Sequence, residues 1–123
     1  MASENQVRTY IKNNYNTLEN DFGAMKFEFE LAGGRTQLVF AWINDTNIQV
    51  SSPFATTDKI TPLVALEAVS KRSLGMQLLG DLYTVRYYAP IADIDESEII
   101  EALELTAVMA DSLEQELLGS DNL

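Results

Sequence analysis

The last third of the chain, Asp93 to Leu118, constrains the fold more than any other stretch, because it specifies a long amphipathic helix and the point where it starts. Asp95 stands as an N-cap with Glu98 three residues on, the pairing that satisfies two orphan N–H groups reciprocally in a capping box. Ile94 and Ile99 occupy the positions of a hydrophobic staple around it. At about 100° per residue, Ile99, Leu103, Ala110, Leu113 and Leu117 form one stripe. Ile100, Ala107 and Leu118 widen it on one side, and Ala102, Leu105 and Met109 on the other. The apolar arc comes to roughly 220°, wider than a helix resting on one surface needs. Glu101, Glu104, Asp111 and Gln115 fill the rest, with Val108 apolar among them and Glu114 set inside the apolar arc. Two readings follow: the helix sits deep in its own core, or it keeps a second apolar surface for a partner.

A length of 123 residues predicts a single domain over 1–123, able to bury about two thirds of its unfolded surface. A hydrophobic content of 46%, with charges interspersed, is that of a globular protein. The longest apolar run, Leu38 to Ile43, is too short to span a bilayer, and Met1 to Lys12 has no signal-peptide core, so the expectation is a cytoplasmic protein without membrane contact. The chain holds no Cys and no His, which removes thiol nucleophiles, disulfides, zinc sites and imidazole bases together. A net charge of −11 repels phosphate backbones and argues against nucleic acid as a partner. The only basic pair, Lys71 with Arg72, falls where a helix C-terminus favours cations. From Asp93 onward there are ten acidic residues and no basic one, which gives either solubility or a docking face for a basic partner.

Ahead of that helix the chain reads as a sheet with two further helices. Ser3 and Gln6 form a capping box, and Val7, Tyr10, Ile11 and Leu18 continue at helical spacing, predicting a helix over Glu4–Leu18 that Asn20, Asp21 and Gly23 break. From Met25 the period becomes two: Met25, Phe27, Phe29 and Leu31 alternate with Lys26, Glu28 and Glu30. Gly33 and Gly34 close a hairpin. Thr36 to Ile43 is apolar on both sides, Leu38, Phe40 and Trp42 against Val39, Ala41 and Ile43, which predicts a central strand covered on both faces. Asn44 and Asp45 turn the chain into a third strand, Asn47 to Ser52, ended by Pro53. Ala55 to Ile60 reads as loop. Thr61 and Pro62 open a second helix with a stripe of Leu63, Leu66 and Val69, stopped by Gly75 near Ser73. Met76–Leu79 and Leu82–Ala89 flank a Gly80-Asp81 hairpin, with Tyr83, Val85 and Tyr87 on one face and Thr84, Arg86 and Tyr88 on the other.

The motifs of catalysis are absent: no phosphate loop, no nucleophile elbow, and Ser70 and Lys71 point apart on a helix. Paired carboxylates are abundant, but acid–base work needs a pocket that raises one pKa. The cluster Asp93, Asp95, Glu96 and Glu98 lacks the glycine and distal glutamate of a calcium loop, so it serves the helix start. The tyrosines around Arg86 suit ring stacking, although alternation sends two of them to the core. No catalytic residue, metal or cofactor is expected.

The element order is α-βββ-α-ββ-α, an α+β fold with a five-stranded antiparallel sheet packed by helices. Along that order stand Ile48-Gln49-Val50-Ser51-Ser52-Pro53-Phe54, then Gly80-Asp81-Leu82-Tyr83-Thr84-Val85-Arg86-Tyr87 before Ala89-Pro90-Ile91, and Ala110-Asp111-Ser112-Leu113-Glu114. With these motifs the chain resembles the type III secretion chaperone-like fold, and within it the YbjN-like family of bacterial regulators. The resemblance implies a homodimer that binds a segment of a partner protein and turns over no substrate. The expected partner surface is Leu105, Val108 and Met109 on the last helix with Val39, Ala41 and Ile43 on the central strand. The alternative is a small-ligand regulatory domain with a pocket at Trp42, Tyr83 and Arg86, between sheet and helices.

Overall fold

The structure, a computed structural model, describes residues 3–15, 17–18, 24–72 and 74–119, the side chains of 18 and 32 excepted. The breakers Asn20, Asp21 and Gly23, the stop at Ser73 and the tail beyond Gly119 lie outside these residues. Ser3 caps helix α1 (Glu4–Asn14): its hydroxyl accepts from the Gln6 N–H at 3.3 Å, and the Gln6 side chain accepts from the Ser3 N–H at 2.8 Å. α1 ends at Asn14 and not at Leu18. Tyr15 turns extended and stacks its ring on Phe27 at 5.2 Å, and Thr17–Leu18 becomes β1, paired to β2 (Met25–Glu30). An open strand edge and an aromatic stack outweigh one more turn of helix.

The remaining elements are β3 (Thr36–Ile43), β4 (Asn47–Thr56), α2 (Pro62–Ser70), β5 (Gly75–Leu79), β6 (Leu82–Pro90) and α3 (Glu96–Leu118). This is the α-βββ-α-ββ-α order of an α+β fold. The five main strands and the short β1 form an antiparallel sheet in the order β1-β2-β3-β4-β6-β5. Gly33 and Gly34 turn β2 into β3 at φ of 80° and 76°, a conformation open to glycine without steric cost. At the next turn Asn44 Oδ1 accepts from the N–H groups of Thr46 and Asn47 at 2.8 and 2.9 Å. Pro53 does not end its strand, and Ala55 and Thr56 belong to β4, not to a loop. Proline is tolerated because β3 pairs with β4 only from Ile48 to Ser51, and the register with β6 shifts between Pro53 and Ala55. Beyond that point side chains replace the ladder: the Ser52 hydroxyl donates to the Leu38 carbonyl, and the Gln37 amide to the Pro53 carbonyl, each at 2.5 Å.

All three helices pack on one face of the sheet. One part of the core joins Val7 and Ile11 of α1 and Ile99, Ala102 and Leu103 of α3 to Phe27, Val39, Ala41, Ile43, Ile48 and Val50. The other joins Ala65, Ala68 and Val69 of α2 and Ala110 and Leu113 of α3 to Phe54, Tyr83 and Val85. β3 is therefore internal but carries helices on one side only. Among the described residues its other side belongs to a face without helices, where Phe40 is buried and stacks on Trp42 at 6.1 Å. That face is tied by polar contacts, the Ser51 hydroxyl donating to Gln77 Oε1 at 2.7 Å and the Thr84 hydroxyl to the Gln77 carbonyl at 3.0 Å.

Thr61 caps α2 through the Val64 N–H, with Pro62 at the first helical position. The buried side of α2 is Ala65, Ala68 and Val69, not the stripe through Leu63 and Leu66, which are 63% and 49% exposed. The helix ends at Ser70, and Gly75 opens β5. Arg72 satisfies a carbonyl of the last turn, donating to Ala68 at 2.8 Å, as a cation at a helix C-terminus does. α3 starts at its capping box: Asp95 Oδ1 accepts from the Glu98 N–H at 2.9 Å, and Gly119 ends it at φ 73°. Asp111, expected on the wet side, is 6% exposed and paired to Arg35 at 2.9 Å; Glu114 is fully buried. Among the described residues no helix is long and apolar enough to cross a membrane.

Candidate functional site

α3 uses its sheet-facing side completely: Ala102, Leu103, Thr106, Ala107 and Ala110 are all fully buried. The apolar residues at the edges of its arc are in excess. Ile100, Leu105 and Met109 remain half-buried, and Val108 is 46% exposed. They floor two adjoining recesses. The first, about 400 Å³, is lined by Ser97, Ile100, Glu101, Glu104, Leu105 and Val108. The second, about 350 Å³, is lined by Lys71, Arg72, Leu74, Leu105 and Met109. Leu105 lines both, so the recesses follow one edge of α3.

The charges around this edge are unequal. Glu101 and Glu104 stand exposed at the first recess. At the second, Arg72 is already engaged, its NH2 donating to Ser112 at 3.1 Å and to Glu116 at 3.2 Å, while Lys71 is exposed. An apolar floor with a carboxylate rim suits apolar anchors flanked by cations, the pattern by which an amphipathic helix is held in a groove. A larger recess, about 690 Å³, lies elsewhere, against the amide side chains of Asn5, Gln6, Asn13 and Asn14 on α1. Among the described residues Glu96 is the one charged residue lining it. Among the described residues no group of three or more His, Cys, Asp or Glu converges as metal ligands would.

The structure separates the expected surface residues. Leu105, Val108 and Met109 share the α3 edge. Val39, Ala41 and Ile43 do not join them: at 0%, 0% and 4% exposure they lie under the helices, in the protein's own core. Their strand offers its other side, Leu38, Phe40 and Trp42, to the helix-free face. The proposed ligand pocket is split as well. Trp42 and Arg86 lie on the helix-free face, whereas Tyr83 is on the helix side, 4% exposed, stacked on Phe54 at 6.2 Å with its hydroxyl donating to the Ile60 carbonyl at 3.3 Å. Among the described residues the sheet itself lies between Tyr83 and the other two, so no single pocket gathers the three.

Sequence reasoning placed Ile100 within the arc but did not assign it to the surface, and it read Glu101 and Glu104 as wet side only. Their spacing around Leu105 and Val108 was the available signal. It also missed the outward face of α2, where Leu63, Val64 and Leu66 are exposed and Glu67 is the one charged residue of the helix. A nine-residue helix that is apolar nearly all round gives no period from which to read that. No protein-family model matches the sequence, and no curated protein matches it significantly.

Proposed function

We propose that the chain is a cytoplasmic, non-enzymatic protein-binding module of the chaperone or adaptor kind, acting as a homodimer, and that the α3 edge takes a basic amphipathic segment of a partner protein. The observation that carries this reading is the excess of apolar side chains on α3: Ile100, Leu105, Val108 and Met109 remain outward after the core is filled, beside Glu101 and Glu104. Burying them against a partner contributes the affinity. Exposed carboxylates each contribute little, so they orient the segment and speed its arrival, helped by the field of a chain carrying −11. The α-βββ-α-ββ-α order and the motifs resembling secretion chaperones and YbjN-like regulators support the same reading. Self-association fits the outward face of α2, because Leu63, Val64 and Leu66 are exposed on a helix with a single charged residue, Glu67, which limits the repulsion between two acidic copies.

Calorimetric titration with a synthetic leucine/lysine amphipathic helix, and with its leucine/glutamate counterpart, tests the partner chemistry. The lysine peptide binds saturably and more weakly in high salt; the glutamate peptide does not bind. Val108→Asn, which changes no charge, weakens the lysine peptide by about tenfold, the scale of one interface anchor. Equal binding of the two peptides, or full affinity in a folded Val108→Asn protein, overturns the proposal.

A further inference from the structure

The register of the sheet lays one row across its helix-free face: Lys26, Phe40, Ser51, Arg86 and Gly75 are successive cross-strand partners on β2, β3, β4, β6 and β5. Directly opposed residues project to the same face, so the Arg86 side chain stands against a position that has none. Glycine is not required there by the backbone, because Gly75 is not among the positive-φ glycines, and a Cβ built on it meets nothing within 4 Å. A recess of about 320 Å³ lies here, lined by Arg86 and Gly75, with Leu74 and the 55%-exposed Tyr88 on its walls.

Among the described residues Arg86 is the arginine whose charge no carboxylate answers. Arg8, Arg35 and Arg72 are each paired with a carboxylate, at 2.9, 2.9 and 3.2 Å. Arg86 has no such pair among the described residues, in a chain with nineteen acidic residues to draw on. Its NH2 donates to Gln49 Oε1 at 2.7 Å, and Gln49 is itself steadied by donating to Asn47 Oδ1 at 3.4 Å. The buried Nε has no acceptor among the described residues. A guanidinium carries five donors in a rigid fork that matches two oxygens of one anion, and a buried donor without an acceptor is costly.

We propose that the Arg86–Gly75 recess binds a small oxyanion, a carboxylate or phosphate group held by the guanidinium fork and flanked by Tyr88. Gln49 acts as a positioning residue, fixing the plane of the fork. The acidic field of the chain disfavours highly charged ligands, so the site selects anions of low charge that reach the guanidinium directly. This site lies on the helix-free face and does not depend on the α3 edge or its partner.

NMR detection of the Arg86 Nε–H resonance during titration with sodium benzoate, inorganic phosphate and sodium chloride at matched ionic strength tests the site. Benzoate, phosphate or both shift the resonance saturably, and which of them does so identifies the source of the oxyanion; chloride does not. Gly75→Ile fills the recess without strain and keeps the protein folded, and it weakens the response at least about tenfold, the loss of one charge-assisted hydrogen bond. Arg86→Met abolishes anion-dependent thermal stabilisation. A response shared by chloride, no saturable response to either oxyanion, or an undiminished response in Gly75→Ile overturns the proposal.

Discussion

Asp95 accepts from the Ser97 hydroxyl at 2.7 Å and from the Glu98 N–H at 2.9 Å, and these bonds hold its carboxyl below the usual carboxylate range. Because the folded value lies below the unfolded one, its contribution to stability is full above the unfolded value and is lost as pH falls through the folded value. Asparagine caps a helix about as well but carries no proton to titrate. The difference in melting temperature between wild type and Asp95→Asn is therefore largest at neutral pH and shrinks as pH drops below about 4, which thermal melts across that range measure. The cap was legible because its partners are three residues apart. Asp111 was not, since its arc position is wet on α3 taken alone, and only the β2–β3 turn brings Arg35 to it, at 2.9 and 3.2 Å, with Gln115 donating to the same carboxylate at 2.9 Å. Nor was Gly75, where the absence of a side chain has meaning only beside Arg86.

At the scale of the element, α3 divides into a side that holds the fold and an edge that does not. Leu103→Asp places a charge in a fully buried site and removes its packing, a loss above about 4 kcal/mol that unfolds the protein. Val108→Asp, at a position 46% exposed, changes stability by about 0.5 kcal/mol or less and weakens association. Parallel melts and association measurements check both; equal loss of folding would make the outer edge core. The period of α3 and of β2 made their buried sides readable. The apolar two-sidedness of β3 was readable too, but not its outcome: among the described residues helices cover only the Val39, Ala41 and Ile43 side, while Phe40 on the other side is buried and stacks on Trp42. In α2 the large Phe54 and Tyr83 fill the space beneath, so alanines face the sheet and leucines turn outward. Volume on the opposing surface settled that orientation, and no single-segment pattern contains it.

For the whole molecule, the outward leucines of α2 predict a dimer at micromolar concentration in sedimentation velocity, converted to a folded monomer by Leu63→Asp with Leu66→Asp. A wild-type monomer under the same conditions removes the homodimer from the proposal. Apart from the short β1, element types and their order followed from sequence, while strand order did not, because the pairing of β4 with β6 skips α2 and β5. That seam runs from Asn47–Pro90 to Thr56–Leu82 and is the longest in the sheet. It also governs kinetics. The β2–β3–β4 meander and the β5–β6 hairpin each close by short turns, but joining them requires a loop holding a helix and a strand to fold back, and non-local closure of this kind slows folding. This topology predicts the slow step of folding along the β4–β6 seam, where the non-local closure has to be made.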